Sequence, residues 1–263
     1  MPSRPLVVIL TYCRKPENLY GSLLTFKTLR TGFPDADVLV VDNVSHPSAI
    51  GPIQEAARSV SAEFLQLDKE LIHHDFIRQT LAIEAPKNRP LVFADPDLLF
   101  WEKINIPEGD YDVAGRKLPA FQDPYSGTYT EWRLHTSLLL IPSPARLLHR
   151  INEIELLCFE MDTLRPIMFP EKNALRRFDT FGVFCNMAAE YCHAFSEREL
   201  DRYDHIFCGS DVKQVSAKLD KMGEMGTALF ESHQKAKSDY TQLKGIWRQQ
   251  EQWFRSHVSG PVA

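Results

Sequence analysis

Asp95 and Asp97 stand one proline apart at the end of the apolar run Leu91-Val-Phe-Ala94. The run is short enough for a buried strand. Pro96 disfavours the helical region for Asp95, and in an extended chain residues i and i+2 project to the same face, so both carboxylates should look at one point. Two hard oxygen ligands converging there suit Mg²⁺ or Mn²⁺, ions that sit on one or two carboxylates plus substrate phosphates. The chemistry such a centre serves is displacement of a phosphorylated leaving group, whose growing charge a cation offsets. An Asp-x-Asp pair is also what an ordinary polar turn after a strand looks like. The two readings are separated by the elements that would position the pair.

Those elements alternate. Pro5-Leu-Val-Val-Ile-Leu10 is continuously apolar, as in a central strand covered on both faces. A polar loop, Thr11-Tyr-Cys-Arg-Lys-Pro-Glu-Asn18, follows, and Leu19, Leu23, Phe26 and Leu29 then carry helical spacing up to Gly32. Asp37-Val-Leu-Val-Val-Asp42 reads as a second buried strand, with the loop Asn43-Val-Ser-His-Pro47 and a helix over residues 48–60 behind it. A short strand over 63–67 and a helix over 73–85 lead to residues 91–94 and the aspartates. Strands and helices in alternation imply right-handed crossovers and an α/β fold with a mostly parallel central sheet flanked by helices. Ligands on such sheets bind beyond the carboxyl ends of the strands. The tips Thr11–Arg14, Asp42–Ser45 and Asp95–Asp97 are therefore expected on one edge.

Composition narrows the partners. A formal charge of -5 and pI near 6.0 provide no general attraction to nucleic acid, so an anionic ligand must be held locally. The five cysteines (Cys13, Cys158, Cys185, Cys192, Cys208) form no C-x-x-C pair and read as reduced thiols of a cytoplasmic protein. The first apolar run is too short for a signal peptide, and no stretch reaches the roughly 20 apolar residues of a membrane span. No G-x-G-x-x-G follows the first strand and no G-x-x-x-x-G-K-S/T occurs, which disfavours a dinucleotide fold or a P-loop.

Leu10-Thr-Tyr-Cys-Arg14, Val40-Val-Asp-Asn-Val-Ser45 and the Asp95-Pro-Asp97 tip together resemble the GT-A glycosyltransferases, and within them the family-2-like enzymes. The resemblance covers about residues 5–102, and more weakly extends to about 210. It departs at Cys13, where the family has Asn, and in Ile77-Arg-Gln-Thr-Leu81, which keeps Arg78 but lacks an Asn and a Gly. The resemblance implies a nucleoside-diphosphate sugar donor and a hydroxyl-bearing acceptor that is a glycan, a lipid-linked molecule or a small molecule. Thr11 and Tyr12 would flank the base, Asp42 would accept its N–H, and Arg14, Arg78 and Asp95 would contact the rest of the donor. Asp95, Asp97 and His205 would hold Mn²⁺ or Mg²⁺, His205 lying in Tyr203-Asp-His-Ile-Phe-Cys-Gly-Ser210, which matches a family His before a Gly-Ser loop. Asp179, in Asp179-Thr-Phe-Gly182, would be the catalytic base, although Phe178 takes the place of a first acid. Inversion of the sugar configuration is implied by the resemblance alone.

Downstream of the motif, residues 105–133 are rich in Pro, Gly, Asp and Tyr and read as long loops on the acceptor side, where Tyr129 and Trp132 could stack on a sugar. Arg133–Ile141 reads as a strand with His135 and Ser137 on one face, and Pro144 opens a helix to about residue 160. Asp179 is expected to open a further helix, where capping is the bland explanation for it. Asp123, Glu131 and Asp162 are its rivals as base. The organisation expected is a catalytic domain over 1–210, with a nucleotide-sugar half to about 104 and an acceptor half to 210, followed by a helical extension over 211–263. The extension's apolar stripe (Leu219, Met222, Met225, Leu229) and its basic face (Lys235, Lys244, Arg248) leave three roles open: packing on the domain, a homodimer, or peripheral contact with the inner membrane face. Two other functions compete: a sugar-1-phosphate nucleotidyltransferase, which should carry a glycine-rich basic turn after the first strand, and a non-catalytic sugar-nucleotide-binding protein.

Overall fold

A computed structural model describes residues 4–14, 19, 21–122, 127–159, 161–171 and 174–205. The elements are β1 (Leu6–Thr11), α1 (Leu24–Gly32), β2 (Asp37–Asp42), α2 (Pro47–Ser59), β3 (Glu63–Gln66), α3 (His73–Glu84), β4 (Leu91–Ala94), β5 (Leu98–Phe100), β6 (Val113–Leu118), β7 (Phe121–Gln122), β8 (Tyr129–Thr130), β9 (Arg133–Ile141), α4 (Pro144–Leu157), β10 (Ile167–Glu171), β11 (Ala174–Phe178), α5 (Gly182–Met187), β12 (Cys192–Ala194), α6 (Glu197–Leu200) and β13 (Tyr203–His205). Seven strands form one sheet in the order β12-β6-β9-β4-β1-β2-β3. β3, β2, β1 and β4 are parallel to one another, as are β12 and β6; only β9, between β4 and β6, runs antiparallel to its neighbours. The expected α/β architecture is what is observed.

The apolar runs of β1, β2 and β4 are continuous because each strand is buried on both faces. Val7, Ile9, Val38, Val40, Val92 and Ala94 point to one side, where α1 and α2 supply Phe26, Leu29, Ala49, Ile53 and Ala57. Leu6, Val8, Leu91 and Phe93 point to the other, against Phe76, Ile77 and Leu81 of α3 and Leu147 and Ile151 of α4. Helix starts follow local chemistry: Pro144 sits in the first turn of α4, and Ser143 Oγ accepts from the Arg146 amide at 3.3 Å. No described helix is long and apolar enough to cross a membrane, and the four described cysteines are unbridged. The helical extension over 211–263 lies outside the described residues.

Three expectations are corrected. Residues 105–133 are not simply loops: Val113, Ala114 and Gly115 are buried in β6 as part of the central sheet. Only this short run is apolar, too few residues for a period to appear, and burial comes from β9 and β12 on either side. Asp179 does not open a helix. Its Oδ1 accepts from the next amide, of Thr180, at 2.9 Å, Phe181 takes a left-handed φ of 68°, and α5 begins only at Gly182. The Pro144 helix ends at Leu157 rather than near 160.

Gly32, the last residue of α1, shows how tightly the motif is backed. A Cβ there would lie 2.6 Å from Phe100 Cγ, and Phe100 is a fully buried ring of β5. Gly32→Ala should therefore cost about 1–3 kcal/mol of stability through overpacking, read from the urea midpoint at constant m-value. An unchanged midpoint would mean that the α1–β5 contact is looser than the geometry states.

Candidate metal centre and its cleft

The turn after β4 is tied down on every side. The Asp95 amide donates to the Ser137 carbonyl of β9 at 2.7 Å, and the Thr25 amide at the start of α1 donates to the Pro96 carbonyl at 2.9 Å. Thr25 Oγ1 donates to the Asp95 carbonyl at 2.6 Å and accepts from the Leu98 amide at 2.8 Å. The chain then enters β5, which pairs antiparallel with β13 in the register His205↔Leu98. That pairing carries His205 across more than a hundred residues of sequence to the aspartates. His205 Nε2 lies 3.2 Å from Asp97 Oδ1 and 3.7 Å from Asp95 Oδ2. One ligand atom from each of the three residues falls within 4.8 Å of the others.

Electrostatics at this point favour a cation. Burial, and next the Asp97 carboxylate, push the Asp95 carboxyl up to about 7 against the opposing pull of His205. For His205, burial alone would lower the imidazole, but Asp97 and Asp95 outweigh it and the group is raised. His135 of β9 tilts against His205 with ring centroids 4.9 Å apart, and its Nδ1 accepts from the Ser137 amide at 3.1 Å. Burial first, then the proximity of His205, drives His135 down to about 3, so it is neutral at pH 7. Two carboxylates crowded together beside one imidazole are a donor set that fits Mn²⁺ or Mg²⁺, with Mn²⁺ the more tolerant of a nitrogen ligand.

The raised Asp95 carboxyl sets a pH prediction for metal-free protein. Between the ordinary value of 3.8 and about 7 the folded chain holds a proton that the unfolded chain has released. Stability in EDTA should consequently fall as pH rises through that window. Asp97→Asn removes the repelling charge and should flatten the slope; equal slopes in urea titrations of the two proteins would contradict the electrostatic account.

The strand tips do gather at the carboxyl edge of the sheet. Thr11 Oγ1 donates to Asp42 Oδ1 at 3.1 Å, the Ser45 amide to Asp42 Oδ2 at 3.0 Å, and the Cys13 amide to Ser45 Oγ at 2.8 Å. Asp42 is fully buried, with both oxygens engaged in clamping the two loops together. Tyr12 and Arg14 are the open members of this group: the guanidinium lies 4.5 Å over the Tyr12 ring, bonds its hydroxyl, and pairs with Glu70 at 3.1 Å. Arg78 is not brought to the cluster. Its guanidinium joins α3 to the last turn of α4 and the segment after it, pairing with Glu155 and, at 2.8 Å, with Asp162.

Asp179 lies at the end of β11, held by Arg133 at 2.8 Å and by Arg177 at 3.5 Å. Arg133 and His135 alternate along β9 on one face, so a single strand links Asp179 to the ring that packs on His205. His73, the first residue of α3, also senses the Asp179 charge, but burial dominates and lowers its pKa to about 4. Among the rivals, Glu131 is buried in an ion pair with Arg176, Asp162 is bound to Arg78, and Asp123 lies outside the described residues. Trp132 is covered by Lys117, whose Nζ stands 4.7 Å above its ring.

Several contributors carry no signal in the sequence. Thr25 reads as one more polar residue of an amphipathic helix, and Arg116 of β6 bears on His135 and His205 through its charge. The described strand β13 is three residues long, too short for periodicity to find it.

No family model and no curated protein matches the chain. Among solved structures it is similar to a mannosyltransferase from Pyrobaculum calidifontis in complex with GDP-Man and Mn²⁺, at 13% identity and a TM-score of 0.41 over 75% of this chain and 56% of that one. It is similar also to a nucleoside-diphosphate-sugar pyrophosphorylase from Vibrio cholerae, at 9% identity and 0.45 over 81% and 98% of the two chains. A third similar structure is the galactosyltransferase LgtC in complex with donor and acceptor sugar analogs, at 13% identity and 0.43 over 73% and 74%. The chain spans about half the length of the mannosyltransferase, 56% of it.

Proposed function

We propose that the protein transfers a sugar from a nucleoside-diphosphate sugar to an acceptor hydroxyl, using Mn²⁺ or Mg²⁺. The observation that carries this reading is the meeting of Asp95, Asp97 and His205 beside the tips of parallel strands. Parallel sheets bind ligands at that edge. Asp95, Asp97 and His205 would hold the cation, which when bound supplies positive charge against a diphosphate leaving group. Tyr12 and Arg14 would supply a half-buried aromatic ring and an exposed cation at the nucleoside end, on loops that Thr11 and Asp42 clamp. Asp179 would take the proton of the acceptor hydroxyl as it attacks, and a single displacement of this kind inverts the sugar carbon.

A thermal-shift panel of nucleoside-diphosphate sugars, each with Mn²⁺ or with EDTA, tests the reading. One donor class is expected to stabilise the protein by about 2.7 kcal/mol at 100 times its dissociation constant, and only with metal present. Stabilisation by no donor, or equally in EDTA, would sink it. Release of nucleoside diphosphate that needs acceptor separates a transferase from a binding protein of the same architecture.

A further inference from the structure

The last turn of α4 carries large apolar side chains on its outer side. Ile151 and Ile154 lie in the core, but Leu156 is 82% exposed, Leu157 80% and, just past the helix end, Phe159 90%. Cys158 Sγ lies 3.5 Å from Met187 Sδ at the end of α5, so half-exposed Met187 extends the same surface. A single exposed leucine is ordinary, whereas several large apolar side chains gathered in one place mark a surface that another element covers.

Topology puts this patch on the edge of the molecule where the described chain ends. Asn43 Oδ1, behind the tip of β2, accepts from the Leu71 amide at 2.8 Å, which fixes the start of α3 at the carboxyl edge of the sheet. Arg78, in the second turn of α3, then pairs with Glu155, so α4 finishes at that edge too. His205, the last described residue, stands there with Asp95 and Asp97.

The sequence beyond His205 supplies a matching surface. Leu219, Met222, Met225 and Leu229 recur at intervals of three and four, with Lys218 and Lys221 beside the first two. Thirteen residues, 206–218, separate His205 from Leu219; extended they reach about 45 Å, enough to cross a body whose radius of gyration is about 17 Å. Charge favours the same pairing. Residues 206–263 carry eight Lys or Arg against six Asp or Glu, and the rest of the chain carries 22 against 29. Glu153 and Glu190, close in sequence to Leu157 and Met187, are both exposed. A second copy would bring the same acidic body with it, whereas a tethered segment arrives with the opposite charge and at high effective concentration.

We infer that the segment containing Leu219, Met222, Met225 and Leu229 seats this apolar stripe on Leu156, Leu157, Phe159 and Met187 of its own chain. The seat is independent of the reading of the cleft as a transferase centre.

Cys158, partly exposed within the patch, is a native reporter of its cover. In the full chain, Leu219→Glu combined with Met222→Glu should speed modification of Cys158 by N-ethylmaleimide at least about tenfold, read by peptide mass spectrometry, with partly exposed Cys192 as the unchanged control. The reciprocal variant, Leu156→Glu, alters a side chain that makes little contact with the body, and should speed tryptic cleavage after Lys218 and Lys221 by a similar factor. If either rate matches the wild type, the inference is overturned. It is overturned equally if protection of Cys158 in the wild type rises with protein concentration alongside a dimer in light scattering, or requires vesicles of anionic phospholipid; the cover would then be a second copy or a membrane.

Discussion

Asp97→Asn should abolish Mn²⁺-dependent binding of the sugar nucleotide while leaving the metal-free protein at least as stable as the wild type. The two signs come from one arrangement. Asp97 is almost fully buried, 3.2 Å from His205 Nε2, and its charge helps to push the Asp95 carboxyl upward. Without a cation the pair is repulsive, and removing one charge relieves it. With a cation, the variant has lost a direct ligand, and even outer-shell partners cost 10- to 100-fold in metal affinity, so a loss of at least about 100-fold is expected. Calorimetric titration of Mn²⁺ and donor, with urea unfolding in EDTA, reads both effects. A variant that keeps metal-dependent donor binding, or that is clearly destabilised in EDTA, would show that Asp97 is a structural carboxylate.

Replacing Asp179 by Asn should lower kcat by about 10²- to 10⁴-fold, equivalent to roughly 3–5 kcal/mol of barrier, with donor affinity unchanged. A base acts in the chemical step, so its loss appears in kcat and not in ground-state donor binding. His205→Ala gives the contrasting pattern, weakened metal and donor binding, because His205 stands at the cluster. The competing role for Asp179 is visible in the structure: it pairs with Arg133 and Arg177 and could serve only to hold them. Near-wild-type transfer by Asp179→Asn would establish that role and move the base to another acid. Glu131, bound to Arg176, would need to break an ion pair to take it over.

The sequence by itself determined the parallel half of the sheet and the placing of its tips. Continuous apolar runs such as Val38-Leu-Val-Val41 are legible because burial on both faces suppresses polar residues throughout a strand. Asp95-Pro-Asp97 was legible for a similarly local reason, since a proline keeps the preceding residue extended and the i, i+2 spacing aligns two side chains. Only the tertiary structure decided what those tips meet. His205 arrives through the pairing of two three-residue strands, Thr25 braces the turn from the start of α1, and Arg78 is drawn to Glu155 and Asp162. β6 likewise joins the central sheet on the strength of neighbours on both sides, with few apolar residues of its own. Such contacts join residues far apart in the chain, and their energy depends on partners that no local window of sequence contains.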